Sequence, residues 1–241
     1  MQKEHFMNLK SDSIYFGNQT DNLHSNGNYD TEKFLALQKK LNNQNQSEIK
    51  SLFFLKQTHS ADVFVLENKN HRVTPLDLFN HEGDAIITRE KNIGIGVVTA
   101  DCLPLILYDS DNQAIGVIHA GWRGLSAKII TATILKMFDV FNTHSEKLKV
   151  YLGPSASACC YEVQNDFLSH FSANSELIEK RGEKLFFNAR NAATFELRNN
   201  GVMQSNIDET NYCCTICTPG FCSVRKEKEN AGRQPSVVFL R

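Results

Sequence analysis

The chain has few prolines, five in 241 residues, and a single tryptophan. It has no apolar run near the roughly 20 residues that a membrane-spanning helix needs. It also has no excess of one charge: 26 Lys and Arg face 27 Asp and Glu, a formal net charge of −1. That balance argues against a nucleic-acid partner and against attraction to an anionic membrane. Residues 1–10 are polar and lack the apolar core of a secretory signal, so a cytoplasmic location is expected. Seven cysteines, an odd number without framework spacing, leave packing, metal binding or catalysis as their uses. What remains is ordinary for a soluble domain, with 41% hydrophobic and 22% charged residues. No repeat or linker interrupts it. We expect one α+β domain over residues 1–241, acting as a monomer.

Periodicity divides the chain into strands at Ser13–Phe16, Ser51–Leu55, Asp62–Glu67, Asp84–Thr88, Ile93–Thr99, Leu103–Tyr108, Ala114–His119, Lys149–Leu152, Lys184–Asn188 and Val237–Leu240. Pro104 argues for a late start or a bulge in its strand. Helices are predicted over Thr31–Leu41, Ser126–Phe141, around Phe167–Phe171 and over Asn191–Asn200, the last stopped by Gly201. The helix at 126–141 presents Ile129, Ile130, Thr133, Ile134, Met137 and Phe138 as one apolar face. The polar stretch 68–82 reads as a loop or lid.

Three short segments lie at strand ends: Gln57-Thr58-His59, Ala100-Asp101-Cys102 and His119-Ala120-Gly121-Trp122-Arg123-Gly124. Two imidazoles and a thiolate form a zinc ligand set, and three protein ligands leave a fourth position open, as in catalytic sites. Taken singly, each has a plainer reading. His59 and His119 fit hydrogen-bonded core histidines, and Cys102 fits a small buried hydrophobe. Spacing alone leaves both readings open.

Several motifs in order change the weighting. Gln57-Thr58-His59, Gly83-Asp84-Ala85, Thr99-Ala100-Asp101-Cys102-Leu103-Pro104, His119 to Leu125, Gly153-Pro154, Cys159-Cys160-Tyr161-Glu162-Val163, Cys214-Thr215-Ile216-Cys217 and Gly232-Arg233-Gln234 resemble the YfiH family. Its members are described as laccase-like polyphenol oxidoreductases, as purine nucleoside phosphorylases and as peptidoglycan editing factors. The resemblance implies central mixed β-sheets flanked by helices, a fold related to toxin and deamidase-like cysteine hydrolases. It also implies that His59, Cys102 and His119 are catalytic residues that bind Zn2+, with copper the lesser alternative. Nucleoside and phosphate are the implied partners. The chain departs from the family pattern at Tyr15-Phe16-Gly17-Asn18-Gln19, where an arginine is usual, at Ser155, where a cysteine is usual, and at Ser60, where glycine is usual.

Other residues carry weaker signals. Arg123 and Arg233 are candidate clamps for phosphate or ribose, with a salt bridge as the plain alternative. Arg225 to Lys228 alternate in sign, the pattern of a solvated face. Asp101 is a candidate acceptor for a ligand histidine, or a turn cap. Glu162 reads as solvated or capping sooner than as a proton carrier. Cys213, Cys214, Cys217 and Cys222 include a Cys-x-x-Cys that could be half of a second zinc site, but with no second pair at zinc-finger spacing and no histidine following, packed thiols are the favoured reading. Cys159 and Cys160 are adjacent. On an extended backbone their side chains diverge, which rules out a shared metal.

A zinc held by two neutral nitrogens and one thiolate polarises a bound group and lowers the pKa of water. Two reactions implied by the resemblance fit: phosphorolysis of adenosine, inosine or methylthioadenosine, and deamination of adenosine. Three rivals stand beside them: a cell-wall-precursor amide hydrolase with Cys102 as nucleophile, a copper polyphenol oxidase, and a non-enzymatic zinc-stabilised module.

Overall fold

Strands buried along their whole length dominate the fold. Ile93–Thr99, Leu103–Asp109, Ala114–Ala120 and Gln234–Leu240 are buried at every position. Such strands need cover on both faces, so they read as near-continuous apolar runs. The computed structural model describes residues 6–9, 12–25, 28–45, 48–67, 76–171, 176–209 and 214–241.

Two six-stranded mixed sheets stack face to face. The first runs in the order Phe6–Leu9, Asp12–Phe16, Gln234–Leu240, Ile93–Thr99, Ser51–Lys56, Leu76–Glu82. The second runs Ile207–Glu209, Lys149–Leu152, Leu103–Asp109, Ala114–Ala120, Ala85–Thr88, Val63–Leu66. Phe53, Ile95, Val97 and Val238 of the first pack against Ile86, Ile106, Ile115 and Val117 of the second. Each such buried aliphatic contributes about 1.5–3 kcal/mol relative to exposure. Helix Thr31–Asn45 covers the outer face of the first sheet through Phe34, Leu37 and Leu41. Helices Ile129–Phe141 and Ala189–Asn199 cover the outer face of the second, with a small sheet of Glu162–Val163, Lys184–Phe187 and Ile178–Arg181. The result is an α+β arrangement of mixed sheets flanked by helices. No helix among the described residues is long and apolar enough to cross a membrane.

Several local expectations need correction. Of the stretch read as a loop, 68–75 lies outside the described residues, while Leu76–Glu82 is an edge strand parallel to Ser51–Lys56. Its polar sequence and a register shift hid it. Pro104 neither delays its strand nor bulges it, since Leu103–Asp109 pairs in register from its first residue. The proline carbonyl accepts the Gly153 N–H (2.9 Å), so its nitrogen faces the same way. The buried Arg190 donates to the Gly153 carbonyl (2.8 Å), supplying the bond that proline cannot.

The helix expected over 126–141 starts later, at Ile129, and runs to Phe141; a separate short helix, Trp122–Ser126, precedes it. Lys128 between them is left-handed (φ 66°), a break marked by neither glycine nor proline. Phe138 is 48% exposed and does not belong to the apolar face; Phe141 does. The helix near Phe167 is a short 3-10 turn, Asn165–Ser169. Helix Ala189–Asn199 ends as expected, with Gly201 at φ +88°.

Candidate metal centre

The two sheets are joined at one end by a tight turn. Thr99 ends a strand of the first sheet, Leu103 begins one of the second, and Asp101 between them is left-handed (φ 90°). Cys102 is therefore fixed at the rim of both sheets. His119 stands opposite Pro104 in the neighbouring strand. His59 follows the Ser51–Lys56 strand. Gln57 prolongs the pairing there: its Nε2 donates to the Val98 carbonyl (2.9 Å), and its Oε1 accepts the Val98 N–H (2.8 Å).

Asp84 organises the histidines. Its carboxylate accepts backbone N–H groups from Thr58 (3.1 Å), His59 (3.0 Å) and Ser60 (2.7 Å), and the Ser60 hydroxyl (3.0 Å). His59 is left-handed (φ 61°), a conformation that costs a non-glycine residue roughly 1–2 kcal/mol. This ring of charge-assisted bonds offsets that cost. The serine that stands where the family usually has glycine supplies one of these donors. Asp84 Oδ1 also lies 2.7 Å from His119 Nδ1, with both groups buried. An Nδ1–H donated there leaves the Nε2 lone pair free to ligate. Asp84 thus holds the place for which Asp101 was the sequence candidate. Asp101 instead accepts the Thr215 hydroxyl and the Arg225 backbone N–H, both at 2.8 Å.

The ligand atoms of His59, Cys102 and His119 all lie within 4.8 Å of one another, with Cys102 Sγ 3.9 Å from His59 Nε2. The donors are soft and borderline, and their spacing suits one tetrahedral divalent ion with an open fourth position. A Cβ on Gly121 would stand 2.8 Å from His59 Cδ2 and 3.3 Å from Cys102 Sγ, so only glycine leaves the centre clear. Electrostatics favour a thiolate. Burial pushes the Cys102 thiol up, but the charge and hydrogen bonds of His119 and His59 outweigh it and bring the thiol down to about 6. For His119, burial opposes the charge, while Cys102 and Asp84 win and raise its pKa. Burial also works against charge on Asp84, but His119 and the Ser60 N–H hold its carboxyl well below the usual range.

The centre opens onto a cavity of about 480 Å³. Its wall includes Tyr29, Trp122, Arg123, Tyr161, Arg225 and Arg233. Arg123 lies over the Trp122 ring (4.6 Å) and Arg225 over the Tyr161 ring (4.9 Å). Neither Arg123 nor Arg233 is in a salt bridge among the described residues; Arg233 donates to the Ala231 (3.0 Å) and Gly232 (2.9 Å) carbonyls. Arg225 is exposed, as a solvated face requires, yet it also lines the cavity and donates to the Glu162 carbonyl (2.7 Å). The charge alternation of 225–228 gave no sign of that. Glu162 points away into an ion pair with Lys184 (2.9 Å).

The family described as multi-copper polyphenol oxidoreductase laccase matches residues 11–241. The chain belongs to that family. A relative in Clostridium acetobutylicum, named a purine nucleoside phosphorylase, is 31% identical over 249 residues, spanning 100% of this chain and 98% of its own. A relative from an unknown prokaryotic organism, named adenosine deaminase RL5, is 31% identical over 205 residues, 80% of this chain and 77% of its own. YlmD from Geobacillus stearothermophilus has the same fold, with a TM-score of 0.83 at 16% identity over 99% of this chain and 100% of that one.

Proposed function

We propose that this laccase-family chain is a zinc-dependent purine nucleoside phosphorylase. Its substrates are adenosine, inosine and methylthioadenosine with phosphate, and it deaminates adenosine as a second activity. The names of its relatives favour nucleoside chemistry over amide hydrolysis by Cys102 or copper oxidation. One observation carries the reading: three guanidinium groups and the His59, Cys102 and His119 donors face a single cavity of about 480 Å³.

In phosphorolysis a phosphate oxygen bonds to C1′ of the ribose as the C1′–N9 bond breaks, and the purine leaves with a proton. Arg123, Arg225 and Arg233 match phosphate oxyanions bidentately. They take the role that the N-terminal loop, without its usual arginine, does not fill. Tyr29, in the cavity wall, offers a ring face for the base. Tyr161 is held protonated: burial raises its pKa far above neutrality and the nearby Cys102 charge adds to that. Its phenol is therefore a hydrogen-bond donor for a purine nitrogen throughout the physiological range. Asp84 orients His119, and the bonds to Gln57 and Asp84 hold His59 in place. When bound, zinc adds about one net positive charge against which negative charge can develop. Positioning supplies the rest.

The test is zinc-loaded protein with adenosine, with and without phosphate. Adenine and ribose 1-phosphate that form only with phosphate support phosphorolysis, and inosine supports deamination. Neither product, from protein that holds its metal, would overturn both.

A further inference from the structure

We infer that this chain carries a second metal site, a structural zinc held by Cys159, Cys160, Cys214 and Cys217. The four sulfurs lie within 4.8 Å of one another. Cys159 and Cys217, 58 residues apart in sequence, have their Sγ atoms 3.7 Å apart. A disulfide needs about 2.05 Å, so this pair is not bonded. Four thiolates about 2.3 Å from a central zinc occupy the corners of a tetrahedron, with edges of about 3.8 Å. The observed pair spans that edge.

The divergence expected of adjacent cysteines fails because the backbone there is not extended. Residues 157–161 form a tight turn in which the N–H groups of Cys160 and Tyr161 both donate to the Ser157 carbonyl at 2.9 Å. That turn brings both Cys159 and Cys160 toward the Cys-x-x-Cys knuckle. Of the cysteines grouped with that knuckle on sequence, Cys213 lies outside the described residues. Cys222 is buried elsewhere, its N–H bonded to Gln234 Oε1 (2.9 Å).

Two further features suit the site. The Ser157 backbone N–H points at Cys214 Sγ (3.3 Å), the kind of donor that stabilises a metal-bound sulfur. The Arg181 guanidinium, paired bidentately with Glu179 (2.8 and 2.6 Å), also donates to the Cys159 carbonyl (3.2 Å) and so pins the backbone of that cysteine. Binding takes up one Zn2+ and releases up to four thiol protons, with no redox change. With four protein ligands the site is closed, so its role is structural.

The knuckle is wired to the first centre. Thr215 N–H donates to the Ser155 carbonyl (3.0 Å), and the Thr215 hydroxyl holds Asp101, next to Cys102. An ion there ties the Tyr161 turn and the Cys102 turn into one unit.

Zinc content of the full chain, purified under reductant, tests this independently of any activity. Wild type should hold two zinc ions per chain, and a Cys102→Ala/His119→Ala variant one. Loaded with Co2+, that variant should show strong sulfur-to-cobalt charge transfer and tetrahedral ligand-field bands. Alkylation mapped by mass spectrometry should find these four cysteines protected until a chelator is added. A Cys214→Ser/Cys217→Ser protein should lose this second ion. If it does not fold, the cobalt and alkylation measurements on the first variant decide alone. The inference is overturned if that variant, with the four thiols reduced, binds no ion and leaves them freely alkylated. A Cys159–Cys217 disulfide in freshly purified protein would overturn it equally.

Discussion

Asp84 Oδ1 and His119 Nδ1 lie 2.7 Å apart, and the same carboxylate receives the backbone N–H of His59. One buried acid therefore sets the orientation of two candidate ligands on two different sheets.

Asp84→Asn should keep most of the fold but lower metal affinity about 10–100-fold, the usual penalty for losing such a support. Competition with a chelating dye measures it. Unchanged affinity would mean that the histidines are positioned by packing alone.

The lowered pKa of Cys102 has a kinetic signature. In metal-free protein its alkylation should rise with pH around a midpoint near 6 and level off well below the range of a free thiol. His119→Ala should move that midpoint upward, because it removes the cation that favours the thiolate. The sign is fixed: losing a positive neighbour makes the thiol a weaker acid.

Gly121 has an ordinary backbone conformation (φ −67°), so Gly121→Ala should fold normally. Its methyl group would press on His59 and Cys102, and we expect weaker metal binding with a nearly unchanged melting temperature. Parallel metal titration and thermal melts separate the two effects.

Arg225→Ala should raise KM for phosphate about tenfold or more, equivalent to about 1.4 kcal/mol. It should leave KM for the nucleoside much closer to wild type. An equal rise in both would point to collapse of the Tyr161 wall in place of a lost phosphate contact. Arg123→Ala provides a second reading of the same kind.

The buried strands were legible because apolar runs such as Ile93–Thr99 and Ala114–Ala120 have few alternatives. The edge strand Leu76–Glu82 was not, since a polar edge shares its composition with a loop. Lys128, left-handed between two helices, delayed the start of the second with neither glycine nor proline to mark it. The sequence named His59, Cys102 and His119 through motif order, and their ligand atoms meet within 4.8 Å. Asp84, in a motif but without an assigned role, needed three-dimensional contacts to explain it. So did Arg225 and the pairing of Cys159 and Cys160 with Cys214 and Cys217, whose proximity depends on turns and on chain separation. No local pattern encodes that information.

Strand Gln234–Leu240 lies between Asp12–Phe16 and Ile93–Thr99 in the first sheet. During synthesis, a nascent chain that has emerged only to residue 233 has a gap in the middle of that sheet. Its exposed edges then resemble those that drive aggregation. The turn that bears Cys102 grows out of the strand waiting for this partner, so a working metal pocket should appear late and all at once. Ribosome-stalled chains of graded length would reveal that step.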